Sequence, residues 1–344
     1  MKTRFFLTAA LMAAALAAVQ PAGAQETILK VHHFLPGTSN AHINIIQPWC
    51  DKVNKESGGK LKCQIYPAMQ LGGTPPQLFD QARDGVADIV WTVPTYQSGR
   101  FVKSEVFELP FMTRNAETGS QAFWDYVQKN SLDEFKGTKL IFLHLQDGGQ
   151  LHFASKDVKT LDDLKGLKIR SPGRVGARII AAWGATPVQM PLPAVPEAVS
   201  KGVIDGAMVP WEGVPVIKLQ EISKFSLLTA PTQNKMSNTI FAFAMNQARY
   251  DSLPADLKKV IDANSGVAWS AIAGRAFDAT VGPNSKEAAG RGNKLEVLGD
   301  AEYKRMQTAS ESVNDDWMKE VAAKGGDGKA LLDSAKALLQ KYAK

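Results

Sequence analysis

Residues 164–172 read LKGLKIRSP, a strand-like run that places one arginine, Arg170, close to its end. Arginine carries a planar fork of donors that grips a carboxylate through two parallel hydrogen bonds. Most arginines lie at the protein surface in ordinary salt bridges, so Arg170 alone does not establish a binding site. The rest of the chain must decide between a salt bridge and capture of an organic acid.

The first 24 residues have the pattern of a secretory signal peptide. Lys2 and Arg4 precede an apolar run at residues 5–19, and Ala22-Gly23-Ala24 fits a small-x-small cleavage site. The apolar run is shorter than the roughly 20 residues that span a bilayer, which disfavours a membrane anchor. We therefore expect a soluble protein, exported to the periplasm, whose first mature residue is Gln25.

The mature chain is mildly basic. Removing residues 1–24 takes away two cations, Lys2 and Arg4, and no acid, so the formal net charge falls from +6 to +4. The remaining lysines are scattered and often lie beside Asp or Glu, which is typical of a solvated surface and not of a nucleic-acid footprint. We expect no nucleic-acid partner, and a mild attraction for anionic solutes.

Strand-like and helical segments alternate along the chain, which indicates an α/β protein. The mature length of 344 − 24 = 320 residues exceeds what one core usually supports, so two domains are expected. Strands are predicted at residues 28–34, 61–66, 87–93 and 140–145 of a first unit, and at 167–170, 186–190 and 203–208 of a second. Helices are predicted at residues 43–56, 75–84, 157–164, 172–183 and 192–201, and over most of 254–344.

The alternating segment 239–246 is predicted to rejoin the first sheet, so that the second unit interrupts the first. The first domain then comprises residues 25–148 with about 236–275, and the second comprises 149–235 with about 276–344. Binding clefts in open α/β sheets lie beyond the carboxyl ends of the strands, which places the expected cleft between the two units.

Cys50 and Cys63 are the only cysteines. In an oxidising compartment such a pair is more often bridged than free, although two buried thiols remain the alternative. Cys50 falls in a predicted helix and Cys63 in the following strand, so a helix folded back on that strand would bring them together. Their spacing does not suggest zinc.

No catalytic motif is found in the sequence. It lacks a nucleophile elbow, a phosphate-binding loop and a paired-histidine metal motif. His32 and His33 are adjacent on a strand, so they point to opposite faces and cannot chelate together. We expect no enzyme activity, no metal and no cofactor.

Aromatic side chains follow several predicted strands. Phe34, Trp91 and Trp211 lie at or just beyond strand ends, and Glu212 is adjacent to Trp211. Flat rings at the mouth of a cleft stack on sugar faces or aromatic rings, although packing in a core is the commoner role of any single tryptophan.

Three motifs together resemble the signature of TRAP-transporter solute-binding proteins of the DctP type. They are GLKIRSP at residues 166–172, GATPVQMP at 184–191 and GVIDG at 202–206, with further likeness at QLGG, residues 70–73, and LPF, residues 109–111. The resemblance implies a periplasmic-binding-protein fold of two α/β domains with a long helix crossing both. It also implies a ligand enclosed between the domains and delivery to an ion-gradient-driven TRAP permease.

By this resemblance, Arg170 pairs with the carboxylate of a small organic acid. Trp91 and Trp211 would stack on the solute body, and His33, Gln150 and Glu212 would read its hydroxyl or oxo groups, with Phe34 also at the cleft. The chain departs from the family after Asp205-Gly206, where it has Trp211 and Glu212. We expect one of these two residues to take the place of the asparagine that usually contacts the solute.

The expected solute is an aromatic, hydroxy, oxo or sugar acid, bound by a monomer. Two other functions are compatible with the same fold. The chain could serve as a ligand-sensing module for a membrane receptor, or as an exported enzyme. Turnover of a ligand would favour the enzyme, and neighbouring genes for two permease subunits would favour transport.

Overall fold

The computed structural model describes residues 26–343, so the predicted signal peptide lies outside the described residues. Its strands form two sheets. The first sheet contains β1 (Thr27–His33), β2 (Leu61–Tyr66), β3 (Ile89–Thr92), β4 (Thr138–Leu145) and β10 (Ile240–Asn246). The second contains β5 (Gln150–Phe153), β6 (Lys168–Ser171), β7 (Thr186–Gln189), β8 (Gly206–Val209), β9 (Phe225–Leu228) and β11 (Lys294–Val297).

The first sheet has the order β2-β1-β3-β10-β4. β1 is parallel to β2 and β3, whereas β10 runs antiparallel between β3 and β4. The alternation at residues 239–246 therefore predicted correctly that this segment returns to the first sheet. As a result, the carboxyl ends of β1, β3 and β4 and the start of β10 all lie at one edge.

The second sheet has the order β11-β9-β5-β8-β6-β7. β6 is parallel to both β7 and β8, so these three strands end at the same edge. Arg170 is paired with Val188 on one side and Ala207 on the other, which fixes it near the end of a central strand.

The helices surround these sheets. They are α1 (Gln47–Glu56), α2 (Leu78–Arg83), α3 (Ala116–Asn130), α4 (Arg174–Ala182), α5 (Val195–Ser200), α6 (Gly213–Val216), α7 (Leu219–Ile222), α8 (Gln247–Asp251), α9 (Ala255–Ala263), α10 (Val267–Asp278), α11 (Val281–Gly290), α12 (Asp300–Ala309), α13 (Glu311–Ala323) and α14 (Gly328–Tyr342). None of the helices in this part of the chain is long and apolar enough to cross a membrane.

The long helix that crosses both domains is formed by α10 and α11. Ala279 and Thr280 between them keep right-handed helical dihedral angles. α10 packs against α3 and β4 beside the first sheet, whereas α11 contacts α7 in the second unit. Pro283 has no backbone N–H to donate, which accounts for the interruption.

Helix α14 returns to the first unit and packs against α3. Lys341 Nζ and the Tyr342 hydroxyl donate to Asp125 Oδ2 at 2.8 and 2.7 Å. These contacts place the end of the chain beside the first sheet. The sequence-based domain boundaries, which assign residues 276–344 to the second unit, stay a prediction.

The predicted helix at residues 157–164 is only one turn long. The structure has a 3₁₀ turn at Asp162–Leu164 and no helix before it. The Asp163 side chain accepts hydrogen bonds from the backbone N–H groups of Lys159 and Thr160, at 3.0 and 2.9 Å. Such local side-chain bonds stabilise a turn in competition with a helix, which explains the difference.

Cys50 and Cys63 are joined by a disulfide whose Cα atoms lie 5.7 Å apart. The bond ties α1 to β2, at the edge of the first sheet, and leaves no free cysteine among the described residues.

Candidate functional site

A closed cavity lies where the converging strand ends of the two sheets meet. The cavity is narrow: the space open to the centres of water-sized molecules is about 20 Å³. The first unit contributes Phe34, Leu35, Trp91, Val93, Tyr96, Gln146, Thr239 and Phe241, and the second contributes Arg170, Pro172, Leu192, Pro210 and Glu212. A larger open cleft lies elsewhere, but its charged lining groups, such as Lys136, Lys139 and Asp262, are half-buried or exposed.

The wall from the first unit is aromatic. The Trp91 ring stacks on Phe34 at 5.2 Å and on Phe241 at 4.9 Å, with interplanar angles of 17° and 19°. Trp91 Nε1 also donates to His144 Nε2 at 2.9 Å, and His144 stacks on Phe241 at 4.7 Å. These contacts hold the rings in fixed orientations and make this wall of the cavity aromatic.

Arg170 lies in the opposite wall and is only 2% exposed. Its Nε donates to the Met190 carbonyl at 2.9 Å, and its Nη1 donates to the Met208 carbonyl at 2.8 Å. These carbonyls follow β7 and belong to β8, so the strands on both sides of β6 orient the guanidinium. Within residues 26–343, no carboxylate forms an ion pair with Arg170.

The buried Arg170 guanidinium thus has no carboxylate counter-ion in the described part of the chain. Burial lowers the pKa of Arg170, while the neighbouring Tyr96 hydroxyl raises it. A guanidinium nevertheless stays protonated in proteins, and an uncompensated buried charge is costly. The arrangement is suited to an anion that enters the cavity and accepts hydrogen bonds from the remaining Arg170 donors.

Tyr96 connects the two walls. It belongs to the first unit, but its hydroxyl lies beside Arg170 and accepts a hydrogen bond from the Leu192 N–H at 3.2 Å. Burial raises the pKa of Tyr96, so the hydroxyl keeps its proton at neutral pH. The sequence offered no strand-end signal for Tyr96, because it lies in a short 3₁₀ turn after β3.

Glu212 and Thr239 bring unpaired oxygen atoms to the same cavity. Glu212 Oε1 and Thr239 Oγ1 are buried and have no hydrogen-bond partner within the described part of the chain. Burial and the nearby Asp147 raise the pKa of Glu212 to about 8, although the Ala41 N–H lowers it. Glu212 is therefore mainly protonated at neutral pH and can both donate and accept.

Asp147 supports the segment that carries Glu212. Its Oδ2 accepts a hydrogen bond from the Trp211 N–H at 2.9 Å. Burial raises the pKa of Asp147 to about 7. Asp147 does not line the closed cavity but a separate open cleft that also includes Lys235 and Asp278.

Four of the predicted site residues, Arg170, Trp91, Phe34 and Glu212, line the closed cavity, whereas His33, Gln150 and Trp211 do not. His33 Nε2 and His42 Nδ1 are hydrogen-bonded at 2.9 Å, and burial lowers the pKa of His33 to about 3. Gln150 Oε1 accepts from the Thr229 N–H at 3.1 Å, and the Trp211 ring packs edge-on against His152 at 5.0 Å. These three side chains contact the protein itself.

Four lining residues with polar or aromatic side chains were not among the predicted site residues: Tyr96, Gln146, Thr239 and Phe241. β4 and β10 are antiparallel with Leu145 opposite Ile240, which brings Gln146 next to Thr239 at the sheet edge. Thr239 and Phe241 are two residues apart, so they share one face of the strand. The alternation in residues 239–246 marked the strand, but its pairing partner could not be read from it.

A second arginine lies close to the cavity and is fully paired. Arg174 forms a bidentate ion pair with Glu105 of the first unit, in which Arg174 Nε lies 2.7 Å from Glu105 Oε1. Arg174 also pairs with Glu320 of α13. This contact joins the two units beside the cavity.

No group of three or more metal-ligating side chains is arranged to hold a metal ion within residues 26–343. The donor set of the cavity, one guanidinium with hydroxyl, amide and carboxyl groups, is that of an organic anion site.

The family model described as bacterial extracellular solute-binding protein, family 7 (DctP), matches residues 31–320. The chain belongs to this family. The sequence-based identification and the α/β fold class are thereby confirmed. As a DctP-family protein, the chain can be compared with solved TRAP solute-binding proteins over nearly its whole described length.

Two of these structures are 44% identical to this chain, each with a TM-score of 0.91. One is a TRAP solute-binding protein from Rhodoferax ferrireducens T118 in complex with copurified benzoate, and the match covers 92% of this chain and 98% of that one. The other, from a marine metagenome, is described as specific for aromatic acid ligands and contains 3-hydroxybenzoate; the match covers 93% and 100%.

A third structure, from Bordetella bronchiseptica, contains (R)- and (S)-mandelate. It is 29% identical with a TM-score of 0.85, over 92% of this chain and 99% of that one. All three relatives are described as solute-binding proteins.

Proposed function

We propose that this DctP-family protein captures a small aromatic carboxylate between its two domains and delivers it to a TRAP permease. The observation that carries the proposal is Arg170, a buried cation that faces a closed cavity and has no carboxylate partner among the described residues. An anionic ligand would supply the missing charge, with each charge-assisted hydrogen bond contributing about 1.5–3 kcal/mol.

The shape of the cavity favours an aromatic solute over an aliphatic one. Phe34, Trp91 and Phe241 present stacked rings to the space that Arg170 closes from the other side. Aromatic pairs contribute about 0.5–1.5 kcal/mol beyond their buried area, so a planar ring would be preferred. The aromatic acids in the three similar structures support this choice.

Domain closure follows from the same contacts. Tyr96 reaches Arg170 and Leu192 from the opposite unit, and Arg174 binds Glu105 across the cleft. A ligand that contacts both walls stabilises the closed arrangement, because those contacts exist only when the walls approach. We infer that the closed, loaded monomer is the species presented to the permease, after export by the signal peptide.

Binding without turnover is the expected activity. The cavity holds no nucleophile paired with a base: its titratable groups are Arg170, Tyr96 and Glu212, and none of them forms a catalytic pair with another lining side chain. We therefore propose a carrier and not an enzyme.

Titration calorimetry of benzoate against the mature protein tests the proposal. The wild type is expected to bind, and Arg170→Ala is expected to lose at least about a hundredfold in affinity, since two charge-assisted hydrogen bonds are removed. Arg291→Ala is a matched control, because Arg291 forms only an exposed pair with Glu287. Equal affinity of Arg170→Ala and the wild type would contradict the proposal.

A further inference from the structure

Two oxygen atoms from opposite walls of the cavity lack hydrogen-bond partners in the part of the chain from residue 26 to residue 343. Glu212 Oε1 follows β8 in the second unit, and Thr239 Oγ1 precedes β10 in the first. The two residues are 3% and 2% exposed, so bulk water does not satisfy them. A buried polar group without a partner is unfavourable, and at a binding cavity it indicates a group that the ligand pairs with.

Neither oxygen is suited to a second carboxylate. Among the residues that line the cavity, Arg170 is the only cation. The Glu212 carboxyl and the Thr239 hydroxyl can each donate a hydrogen bond to a neutral hydroxyl or accept one from it. A second carboxylate would therefore have no cation to pair with, and an unpaired buried charge is costly, so the cavity fits one carboxylate and one neutral polar substituent.

Asp147 Oδ1 is also unpaired among the described residues, but Asp147 is not part of this site. Asp147 lines the separate open cleft with Lys235 and Asp278 and not the cavity that contains Arg170. Glu212 and Thr239 are the unpaired groups that share a cavity with both the guanidinium and the aromatic rings.

We propose that Glu212 and Thr239 form a hydroxyl-recognition subsite, which selects aromatic acids that carry a ring hydroxyl away from the carboxylate. This inference rests on the proposed function, since Arg170 must hold the carboxylate and the stacked rings must hold the aromatic body. It makes a 3- or 4-hydroxybenzoate a better ligand than benzoate itself.

The experiment compares benzoate with 2-, 3- and 4-hydroxybenzoate by calorimetry on the wild type. Either the 3- or the 4-isomer is expected to bind about tenfold more tightly than benzoate, the gain of one hydrogen bond to a buried, otherwise unpaired group. The 2-isomer is expected to show no such gain, because its hydroxyl bonds to its own carboxylate beside Arg170.

Two variants assign the gain to the subsite. Thr239→Val has nearly the same shape without the hydroxyl, whereas Thr239→Ser keeps the hydroxyl and serves as the matched control. Thr239→Val and Glu212→Met are each expected to lower the ratio of hydroxybenzoate affinity to benzoate affinity about tenfold, whereas Thr239→Ser is expected to keep the wild-type ratio. If Glu212→Met does not fold, the threonine pair and the wild-type ligand series still decide the question.

Failure of the hydroxyl-recognition subsite can be distinguished from failure of the proposed function. Equal affinity of the wild type for benzoate and for the 3- and 4-isomers, or a preference that persists in Thr239→Val and Glu212→Met, would overturn the subsite and leave the proposed function intact. Absence of binding for every aromatic acid would overturn the proposed function and the subsite with it.

Discussion

Arg170 and Arg174 are four residues apart and have opposite surroundings. Arg174, at the start of α4, is paired with Glu105 across the domain cleft and with Glu320 of α13. Arg170, near the end of β6, is held by two backbone carbonyls and has no carboxylate partner within residues 26–343. Both are arginines near the cleft, yet only one has its charge compensated by the protein.

The difference separates a structural role from a binding role. A paired buried arginine contributes to the folded state, and removal of either partner leaves an unpaired charge. An unpaired buried arginine reduces stability until an anion arrives, so its contribution is seen in ligand affinity. Variants at Arg174 should therefore change the free energy of unfolding, whereas variants at Arg170 should change ligand affinity.

The largest expected effect in this comparison is on stability, at Arg174. Arg174→Ala leaves Glu105 fully buried without its partner, which should lower the free energy of unfolding by about 3–5 kcal/mol. Urea unfolding of the ligand-free protein measures this loss. Arg305→Ala, which breaks only exposed pairs with Asp162 and Glu302, should change it by less than about 1 kcal/mol. A similar small change in Arg174→Ala would show that the ion pair is not structural.

The disulfide lies outside the cavity, so its removal should change stability and not ligand affinity. Replacing Cys50 and Cys63 by serine opens a loop with a sequence separation of 13. In the chain-entropy model this lowers the free energy of unfolding by roughly 3 kcal/mol. Benzoate affinity, measured well below the unfolding temperature, should stay at the wild-type value. A loss of affinity comparable to that of Arg170→Ala would mean that the first sheet edge and the site are coupled.

The raised pKa of Glu212 makes the stability of the folded protein depend on pH. This pKa is raised to about 8 in the folded state, so between pH 6.5 and 8 the folded protein holds a proton that the unfolded chain has released. The contribution of Glu212 to stability therefore falls as pH rises through this window, and that of Asp147, whose pKa is about 7, falls in the lower part. The buried histidines His144 and His152 act in the opposite direction near pH 6.5, because histidines of the unfolded chain are partly protonated there, whereas burial keeps these two neutral in the folded protein.

Thermal or urea unfolding at pH 6.5 and 8 measures this dependence. The wild type should lose roughly 2 kcal/mol more than Glu212→Gln over the interval, from 1.36 kcal/mol per pH unit for one proton. Parallel pH profiles of the two proteins would show that Glu212 is ionised in the folded state throughout.

The smallest change tests the geometry of the guanidinium. Arg170→Lys keeps a positive charge but removes the planar fork that binds both carboxylate oxygens. Benzoate affinity should fall by at least about tenfold, less than for Arg170→Ala. Calorimetry on both variants gives the ordering, and a lysine variant that binds as well as the wild type would reduce the role of Arg170 to that of a point charge.

The sequence alone was sufficient to locate the cavity residues whose position depends on a single strand. Arg170, Trp91 and Phe34 lie at or just beyond the ends of strands that local patterning marked, and all three line the cavity. The family signature around residues 166–206 also predicted the two-domain fold, which the structure and the similar proteins confirm.

The sequence was not sufficient to locate the cavity residues whose position depends on pairing between distant segments. Thr239 and Gln146 meet because β10 and β4 pair in one register, which local alternation does not specify. Trp211 follows β8 as Glu212 does, but its ring turns toward His152 while Glu212 faces the cavity. Adjacent residues point in different directions, and only the folded backbone decides which one meets a ligand.

We expect the cavity to require a carboxylate from its ligand, because Arg170 has no carboxylate partner among the described residues. Calorimetry of benzoate and of benzamide, its uncharged analogue of nearly the same shape, tests this on the wild type. Benzoate should bind at least about a hundredfold more tightly, and the difference should largely disappear in Arg170→Ala. Equal binding of the acid and the amide by the wild type would contradict the account.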